Sequence, residues 1–419
     1  MYLYIDPGTG SMLFTVLIAV LGSLVYLLRN LKVRLGATLN RNRKAEQAAD
    51  TIPLVIFSDN RRYWSVFAPI CEELEKREQP VLYLTESEDD PALKQSYKYI
   101  RGEYIGEGNK AFARLNFLRA KVVLSTTPSL DVYQWKRSRD VEKYVHIPHA
   151  PNDITLYRMF GIDYYDAILL SGEYQVRQVR QLEAHWGLPA KDLELVGIPY
   201  MDEMRKRLAA AGAPEDTGTR TVLLAPSWGE SAILKRYGSR MIEALLGTGY
   251  HIIIRPHPQS FASEKETMDE LMAAWPDSEQ LEWDRNPDNF ETLRRADIMI
   301  SDFSGVIFDF TLVFDKPILY ADTSFDKGPY DCWWLEEELW TFRILPELGM
   351  QITEDSLGRM KEMIDQCIEN PAYQEARDRA RRETWCHEGE GAVRVADYLM
   401  KTLGAGEETE AKDRGDEQK

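Results

Sequence analysis

The chain has 419 residues with 44% hydrophobic and 28% charged side chains, which is the composition of a folded globular protein and not of a disordered one. Its length predicts two domains of roughly 150 to 200 residues each. A formal net charge of −17 argues against nucleic acid as a partner, and four scattered cysteines without CxxC spacing indicate neither a disulfide framework nor a structural zinc site.

The N-terminal region contains an uncharged apolar run, SMLFTVLIAVLGSLVYLL, at residues 11–28. As a helix it would extend about 27 Å, close to the ~30 Å hydrocarbon core of a bilayer. Only Asp6 is charged before the run, whereas a cleaved signal peptide carries positive charge there. The flank at residues 29–44 is basic and contains no acid, so it is expected to stay in the cytoplasm. The run predicts a single-pass anchor in the cell membrane, with a buried helix of the soluble domain as the alternative.

Short apolar runs alternate with longer amphipathic runs from Ile52 onward, a pattern typical of parallel strands joined by helices. A segment rich in Gly, Pro, Asp and Thr at residues 209–220 divides the pattern into two series. Strands are predicted at residues 52–59, 80–87, 121–127, 143–147, 166–173 and 193–199 in the first series, and at 221–228, 250–258, 279–284, 297–303 and 316–322 in the second.

This pattern predicts an α/β fold with two doubly wound, Rossmann-like domains. The predicted boundaries place the anchor and its basic flank at residues 1–50, the two domains at 51–210 and 219–403, and a disordered acidic tail at 404–419. Ligands of open parallel sheets bind beyond the carboxyl ends of the strands, so the residues that follow each strand are the first candidates for a site.

The segment ADIMISDFSGVIFDFTLVFDKPILY, residues 296–320, reads as a strand, a turn and a helix. We expect Ser304 to cap the helix and Gly305 to let an anion approach the free backbone amides, with an ordinary N-cap as the alternative. Asp302 is counted among the residues of the donor site, but it would repel a phosphate and is expected to accept hydrogen bonds from backbone or hydroxyl groups there. Asp309 is interpreted as structural.

Two further strand ends carry histidines. In IIIRPHPQS, residues 252–260, Arg255 and His257 could bind a phosphate, and His257 could protonate a leaving group; alternatively, His257 caps its own turn and Arg255 pairs with an acid. In YVHIPHAPND, residues 144–153, the two histidines lie three positions apart and point to opposite faces of an extended chain, which makes them a poor metal pair.

No metal site is therefore predicted. His149 is the better candidate for a general base, because a neutral imidazole can accept the proton of an attacking hydroxyl. His146 is interpreted as a strand histidine, although it remains a second candidate for the base. Asp153 could orient the imidazole or simply belong to the turn.

Residues 296–320, together with LLAPSWGE at 223–230 and the RPHP loop, resemble the CDP-glycerol glycerophosphotransferase family of teichoic acid polymerases and primases. The resemblance implies a GT-B fold, with the acceptor on the first domain and the nucleotide donor on the second. It assigns the general base to His149 and the donor phosphates to His257. The other implied donor residues are Ser301, Ser304 and Gly305, with Ser227 and Trp228 near the nucleotide; Trp228 could equally belong to the core.

The chain also departs from the family pattern, since Ala150, Pro151 and Asn152 follow His149 where the family has Gly-Thr-Pro, and Gly229 replaces an Arg. The function implied is an anchored transferase that moves a phosphoalditol unit from a CDP-activated donor to a lipid-linked, polyprenyl diphosphate acceptor, without a cofactor. The alternatives are a nucleotide-sugar glycosyltransferase or epimerase of the same fold, and an anchored binding protein without turnover.

Overall fold

The computed structural model describes residues 51–214, 218–321 and 325–416, with side chains to residue 404. The predicted membrane segment at residues 11–28 and its basic flank lie outside the described residues. Among the residues described, no helix combines the length and the apolar character that a membrane crossing requires.

The first lobe contains a sheet of seven strands in the order β3-β2-β1-β4-β5-β6-β7, and all neighbouring strands pair in parallel. The strands are β1 Ile52–Ser58, β2 Val81–Thr85, β3 Ile100–Tyr104, β4 Ala120–Ser125, β5 Val141–His146, β6 Ala167–Leu170 and β7 Asp192–Leu195. The order reverses between β1 and β4, so β1 and its neighbours end at a topological switch point.

The second lobe contains six parallel strands in the order β10-β9-β8-β11-β12-β13. The strands are β8 Thr221–Leu224, β9 His251–Ile254, β10 Leu281–Trp283, β11 Ile298–Ser301, β12 Ile318–Ala321 and β13 Gly349–Ile352. Apolar runs form almost all of these strands because helices cover both faces of a parallel sheet. The prediction of two doubly wound sheets is confirmed.

Helices connect the strands. They are α1 Trp64–Lys76, α2 Asn109–Leu115, α3 Glu173–Trp186, α4 Pro199–Ala211, α5 Ile233–Tyr237, α6 Ser239–Leu246, α7 Ser260–Ser263, α8 Lys265–Ala274, α9 Phe290–Arg295, α10 Val306–Phe308, α11 Trp340–Arg343, α12 Leu345–Leu348, α13 Met360–Glu369, α14 Pro371–Thr384 and α15 Gly391–Asp416. A π-helical turn, Asp309–Val313, continues α10.

The last helix returns to the first lobe. Val395, Ala396 and Leu399 of α15 are fully buried against a cluster that includes Leu54 of β1 and Phe67 of α1. Residues 391–403, which the sequence pattern assigns to the second domain, therefore complete the core of the first. The α15 backbone also stays helical to Asp416, where the sequence predicts disorder, because Glu, Ala and Lys favour helix and the packed part of α15 supplies the nucleus.

A segment of the second lobe that follows β12 also contacts the first lobe. Arg158 and Tyr330 form an antiparallel bridge, and the Asp331 carboxylate accepts a hydrogen bond from the Phe160 amide at 2.8 Å. The rings of Tyr174, in α3, and Trp340, in α11, stack with centroids 4.8 Å apart. These contacts fix the loop between β5 and β6 against the second lobe.

Candidate functional site

The two lobes meet where loops leave the carboxyl ends of β5 and β11. A Cβ atom built on Gly305 would lie 3.5 Å from Oδ1 of Asn152 and 3.7 Å from Cβ of Ala150. The loop that carries His149 therefore lies directly against the turn that begins α10. This is the geometry that the strand-end rule predicts for a ligand site between two parallel sheets.

His149 lies in this loop, three residues beyond the end of β5. Its ring is partly exposed and stands 4.9 Å from the ring of Tyr63 and 6.4 Å from that of Tyr157, measured between centroids. Burial, and then the positive charge of Arg62, lower the pKa of His149 to about 4. Its Nδ1 atom has no hydrogen-bond partner among the described residues. His149 is therefore a neutral imidazole at physiological pH, in the form that can accept a proton.

His146 is fully buried at the end of β5, and its Nε2 atom lies 3.0 Å from the hydroxyl of Tyr157. Burial lowers its pKa to about 3. It is a strand histidine that supports Tyr157, and Tyr157 in turn lies beside His149. Of the two histidines, His146 is therefore part of the strand, and His149 is the one that lies in the loop after β5.

His257 follows β9 in the second lobe. Its Nδ1 atom accepts a hydrogen bond from the Gln259 amide at 3.1 Å, so in the neutral ring the proton belongs to Nε2. Burial, and then the charge of Arg62, lower its pKa to about 4. The structure confirms the alternative prediction that His257 caps its own turn, through Nδ1. The other ring nitrogen, Nε2, can still donate a hydrogen bond to an anion.

Trp228 follows β8 and is 45% exposed, with its ring centroid 6.4 Å from that of His257. The alternative interpretation, that Trp228 belongs to the core, is therefore wrong. Ser227 is buried, and its amide donates to Asp302 at 3.0 Å. An exposed indole beside His257 fits a ligand-contacting position better than a structural one.

Arg255 is held by a carboxylate. Its Nη1 atom lies 2.5 Å from Oδ2 of Asp284, and its Nη2 atom donates to the Asn286 carbonyl at 2.7 Å. Asp284 is buried and neutralises the guanidinium. The structure therefore shows the alternative in which Arg255 pairs with an acid, although this acid is buried and lies 29 positions away, where no local pattern links it to Arg255; the phosphate role of Arg255 stays a prediction.

The polar residues at the end of β11 are used inside the lobe. Asp302 is buried and accepts hydrogen bonds from the amides of Ser227, Ile233 and Phe303 at 3.0, 3.0 and 2.7 Å, in agreement with the backbone role expected for it. Ser301 is fully buried, and its hydroxyl donates to the Ala225 carbonyl at 2.6 Å. The expectation that Ser301 binds a donor phosphate is wrong, since its side chain ties β11 to the end of β8.

The start of α10 also differs from the sequence interpretation. Gly305 occupies the N-cap position of α10, and Ser304 lies one residue before it. Both residues are partly exposed and lie in the turn that faces the loop of Asn152. Ser304 is therefore placed to contact a ligand and is not the N-cap residue.

Asp153 does not orient an imidazole. It is buried, and its carboxylate accepts hydrogen bonds from the amides of Trp340 and Thr341 at 2.8 and 2.7 Å, at the start of α11. The Gln178 side chain donates to the same carboxylate. A first-lobe carboxylate thus caps a second-lobe helix, which holds the His149 loop at a fixed place relative to the second lobe.

Arg62 lies at the same edge of the first sheet as His149 and is not among the residues that the sequence interpretation selected. It lies in the 3₁₀ turn Arg61–Tyr63 directly after β1, and its side chain is exposed. Its Nη2 atom donates to the Tyr63 hydroxyl at 2.8 Å, and its guanidinium carbon lies 4.7 Å from the centre of the Tyr63 ring. The rule that ligands bind beyond the carboxyl ends of strands also selects Arg62, because Arg62 follows β1.

A cavity of about 400 Å³ lies beside the Asp302 turn. Its walls include the aromatic rings of Phe325 and Phe342 together with the charged residues Lys327 and Glu338. The volume is within the range of small-molecule sites. Within the described ranges, no group of three or more His, Cys, Asp or Glu side chains is arranged to hold a metal ion.

Comparison with solved structures supports the fold. The wall teichoic acid polymerase TagF matches 92% of this chain and 99% of its own, with 14% identity and a TM-score of 0.56. UDP-GlcNAc 2-epimerase from Methanocaldococcus jannaschii, solved with UDP-GlcNAc and UDP, matches 84% of this chain and 100% of its own, with 13% identity and a TM-score of 0.56. At these identities the likeness establishes a GT-B-like architecture and nothing finer.

No curated protein sequence matches the chain. A family model described as CDP-Glycerol:Poly(glycerophosphate) glycerophosphotransferase matches residues 162–401, which is more than half of the chain and includes both His257 and the turn at Ser304 and Gly305. The chain therefore belongs to this family and is an enzyme of the glycerophosphotransferase type.

Proposed function

We propose that this enzyme transfers a phosphoalditol unit, such as glycerol phosphate, from a CDP-activated donor to a lipid-linked acceptor of teichoic acid synthesis. Residues 11–28 would hold it at the cell membrane with the two lobes in the cytoplasm. The observation that carries the proposal is the direct contact between the His149 loop and the turn at Gly305, because it brings a proton acceptor of one lobe to a candidate phosphate-binding turn of the other.

In this reaction an acceptor hydroxyl attacks the β-phosphorus of the donor. A new oxygen–phosphorus bond forms, the bond between the β-phosphorus and CMP breaks, and His149 takes the hydroxyl proton. His257 is suited to the donor side, because Nδ1 is held by the Gln259 amide and Nε2–H is left to donate to a pyrophosphate oxygen. Backbone amides near Ser304 and Gly305 would bind further oxygens.

The low pKa of His149 is compatible with this role. In the free protein the imidazole is neutral, so it needs no prior deprotonation at pH 7. A bound pyrophosphate places negative charge near the ring, and an opposite charge favours the protonated form of histidine. The donor would therefore raise the basicity of His149 when a proton must be accepted.

The test is a donor screen with the purified full-length protein in detergent. Thermal shifts with CDP-glycerol, CDP-ribitol, UDP-sugars and GDP-sugars identify the donor class, since a ligand at 100 times its dissociation constant adds roughly 2.7 kcal/mol to the free energy of unfolding. CMP release is then measured with a lipid-linked acceptor. Turnover of a UDP- or GDP-sugar in place of a CDP-alditol would contradict the proposed substrate, and donor binding without release from any acceptor would favour the binding-protein alternative.

The role of His149 is tested in the same assay. His149→Ala is expected to reduce CMP release by a factor of about 10² or more without unfolding the protein. His251→Ala is the matched control, because His251 is the first residue of β9 in the second lobe and so lies at the amino end of a strand, away from the loops at the carboxyl ends. Unchanged turnover in His149→Ala would refute the role of the general base.

A further inference from the structure

The proposed reaction needs a cation. A pyrophosphate donor carries negative charge that increases on the departing CMP, and transferases compensate such charge with Arg, Lys or a metal ion. Arg255 was the predicted cation, but Asp284 already neutralises it. A different group of the strand-end loops must therefore be considered.

Arg62 lies in the right place. The Asn60 side chain accepts a hydrogen bond from the Arg62 amide at 3.1 Å, which fixes the 3₁₀ turn after β1. The Arg62 guanidinium is 4.7 Å from the centre of the Tyr63 ring, and that ring is 4.9 Å from the ring of His149. Arg62, Tyr63 and His149 thus form a continuous contact series at the carboxyl ends of β1 and β5.

The charge of Arg62 also reaches the second lobe. It lowers the pKa of His149 from the first lobe and, across the gap between the lobes, the pKa of His257. The contacts through Tyr63 place the guanidinium on the His149 side of the gap, and its charge also acts on His257. An anion that contacts both histidines would therefore also be close to Arg62.

The charge of Arg62 acts on the Asp59 carboxyl, where it partly opposes the rise in pKa that burial causes, but the two groups form no salt bridge. Among the described residues Arg62 takes part in no ion pair, whereas its neighbour Arg61, in the same turn, pairs with Asp89. An exposed guanidinium that lies over a tyrosine ring and is not tied up in a salt bridge is suited to bidentate binding of phosphate oxygens.

We propose that Arg62 is the first-lobe cation that binds the non-bridging oxygens of the transferred phosphoryl group, beside His149. This inference rests on the proposed function, in which that phosphoryl group is the β-phosphate of a CDP-alditol. Arg62 compensates negative charge on the phosphoryl oxygens while the bond to CMP breaks, and Tyr63 holds the guanidinium in position beside the base.

The first experiment measures anion binding without any acceptor. Inorganic pyrophosphate and CDP are titrated by calorimetry into the wild-type protein and into the variants Arg62→Gln, Arg62→Lys and Arg61→Gln. We expect Arg62→Gln to weaken pyrophosphate binding tenfold or more, Arg62→Lys to recover part of the loss, and Arg61→Gln to bind as the wild type does. The proposal would be overturned if the wild type bound no pyrophosphate. It would also be overturned if Arg62→Gln bound pyrophosphate as tightly as the wild type, or no more weakly than Arg61→Gln.

The second experiment reads the electrostatic contact directly. Titration of ¹³C-labelled histidines by NMR should show higher pKa values for both His149 and His257 in Arg62→Gln than in the wild type, and no change in Arg61→Gln. Unchanged values for both histidines would count against the placement of Arg62 beside His149. The same spectra establish that each variant is folded.

These measurements separate two failures. If the wild type releases no CMP from CDP-glycerol yet binds pyrophosphate in an Arg62-dependent manner, the proposed donor is wrong and the assignment of Arg62 stands. If CMP is released at the same rate and with the same KM by Arg62→Gln, the proposed function stands and the assignment of Arg62 is wrong.

Discussion

The two lobes supply different kinds of group to the gap between them. In the first lobe, two buried polar atoms beyond β5, His149 Nδ1 and Asn152 Oδ1, have no hydrogen-bond partner among the described residues. In the second lobe, the polar side chains at the end of β11 already have hydrogen-bond partners. The Ser301 hydroxyl donates to the Ala225 carbonyl, and the Asp302 carboxylate accepts hydrogen bonds from three backbone amides. The first lobe thus leaves polar atoms without partners at this edge, whereas the second lobe satisfies the polar side chains at the end of β11.

The difference shows how a reactive polar residue can be told from a structural one. A buried polar group costs free energy unless it is hydrogen-bonded, so a fold satisfies the groups it needs for stability. Asp153 and His257 depart from this division between the lobes. Asp153 belongs to the first lobe but is fully engaged, and His257 belongs to the second lobe but keeps one ring nitrogen for a ligand.

The largest expected effect comes from Asp153. Asp153→Ala removes the acceptor of the Trp340 and Thr341 amides and leaves buried donors unsatisfied, so we expect a loss of about 3 kcal/mol in the free energy of unfolding. Urea denaturation measures this loss. We also expect at least a tenfold loss of CMP release, because the His149 loop is no longer held against the second lobe.

Asp153→Asn is the matched control, since the amide oxygen keeps one acceptor and the side-chain volume is unchanged. It should lose less stability than Asp153→Ala. Equal stability of wild type and Asp153→Ala would show that the contact between the lobes does not depend on this carboxylate.

Replacement of Asp309 is expected to raise the free energy of unfolding, in contrast to replacement of Asp153, and the size of this gain depends on pH. It accepts a hydrogen bond from the Tyr200 hydroxyl at 2.9 Å, and burial raises its pKa to about 7. Between pH 4 and pH 7 the folded state keeps a proton that the unfolded state releases, so this group lowers the free energy of unfolding as the pH rises. Asp309→Asn should stabilise the protein at pH 8 by on the order of 1 kcal/mol.

The comparison at pH 5 serves as the internal control, because both proteins are then neutral at this position and should differ little. Denaturation curves at both pH values test the sign. A variant that is less stable than the wild type at pH 8 would show that the Asp309 carboxylate is stabilising in its charged form.

His257 tests whether its free nitrogen acts on the donor. His257→Ala removes the Nε2–H donor and should weaken CDP binding by about tenfold, the size expected for a hydrogen bond to a charged group. His257→Gln can still donate from its amide and should bind CDP more tightly than His257→Ala. Calorimetry with CDP distinguishes the two, and equal affinities would indicate that His257 serves only its own turn.

The smallest effect distinguishes Ser301 from Ser304. Ser301→Ala should cost about 1 kcal/mol of stability and leave CDP binding unchanged, because the hydroxyl faces the Ala225 carbonyl inside the lobe. Ser304→Ala should leave stability nearly unchanged and weaken CDP binding. The reverse result would return Ser301 to the donor site and contradict the division between the lobes.

The sequence predicted most of the fold because strands of a parallel sheet are continuous apolar runs. Runs such as residues 52–59 and 250–258 identify their strands without help from the rest of the chain. The edge strand β3 was missed because its sequence, IRGEY, is polar and half exposed, and β13 was missed because GMQI is short and begins with glycine. The return of α15 to the first lobe depends on tertiary packing that no local pattern records.

The site was predictable only in part, for the same reason. His149 and His257 follow strands, and the structure places both near the gap between the lobes, while their catalytic roles stay predictions. The pairing of Arg255 with an acid was one of the two interpretations, but the acid itself, Asp284, could not be identified because it is distant in sequence. Asp153 was misjudged because its carboxylate serves a helix nearly 190 residues further along the chain. Charge pairing and capping over such separations are invisible to spacing rules.

The return of α15 has a consequence for how the protein is made. Leu54 and Phe67 emerge from the ribosome early, but the residues that cover them, Val395 and Leu399 among others, are synthesised near the end. The first lobe therefore cannot finish its core during translation, and its apolar surface stays uncovered until the second lobe has been made. A fragment truncated before residue 391 should aggregate, even though it would contain every strand of both sheets.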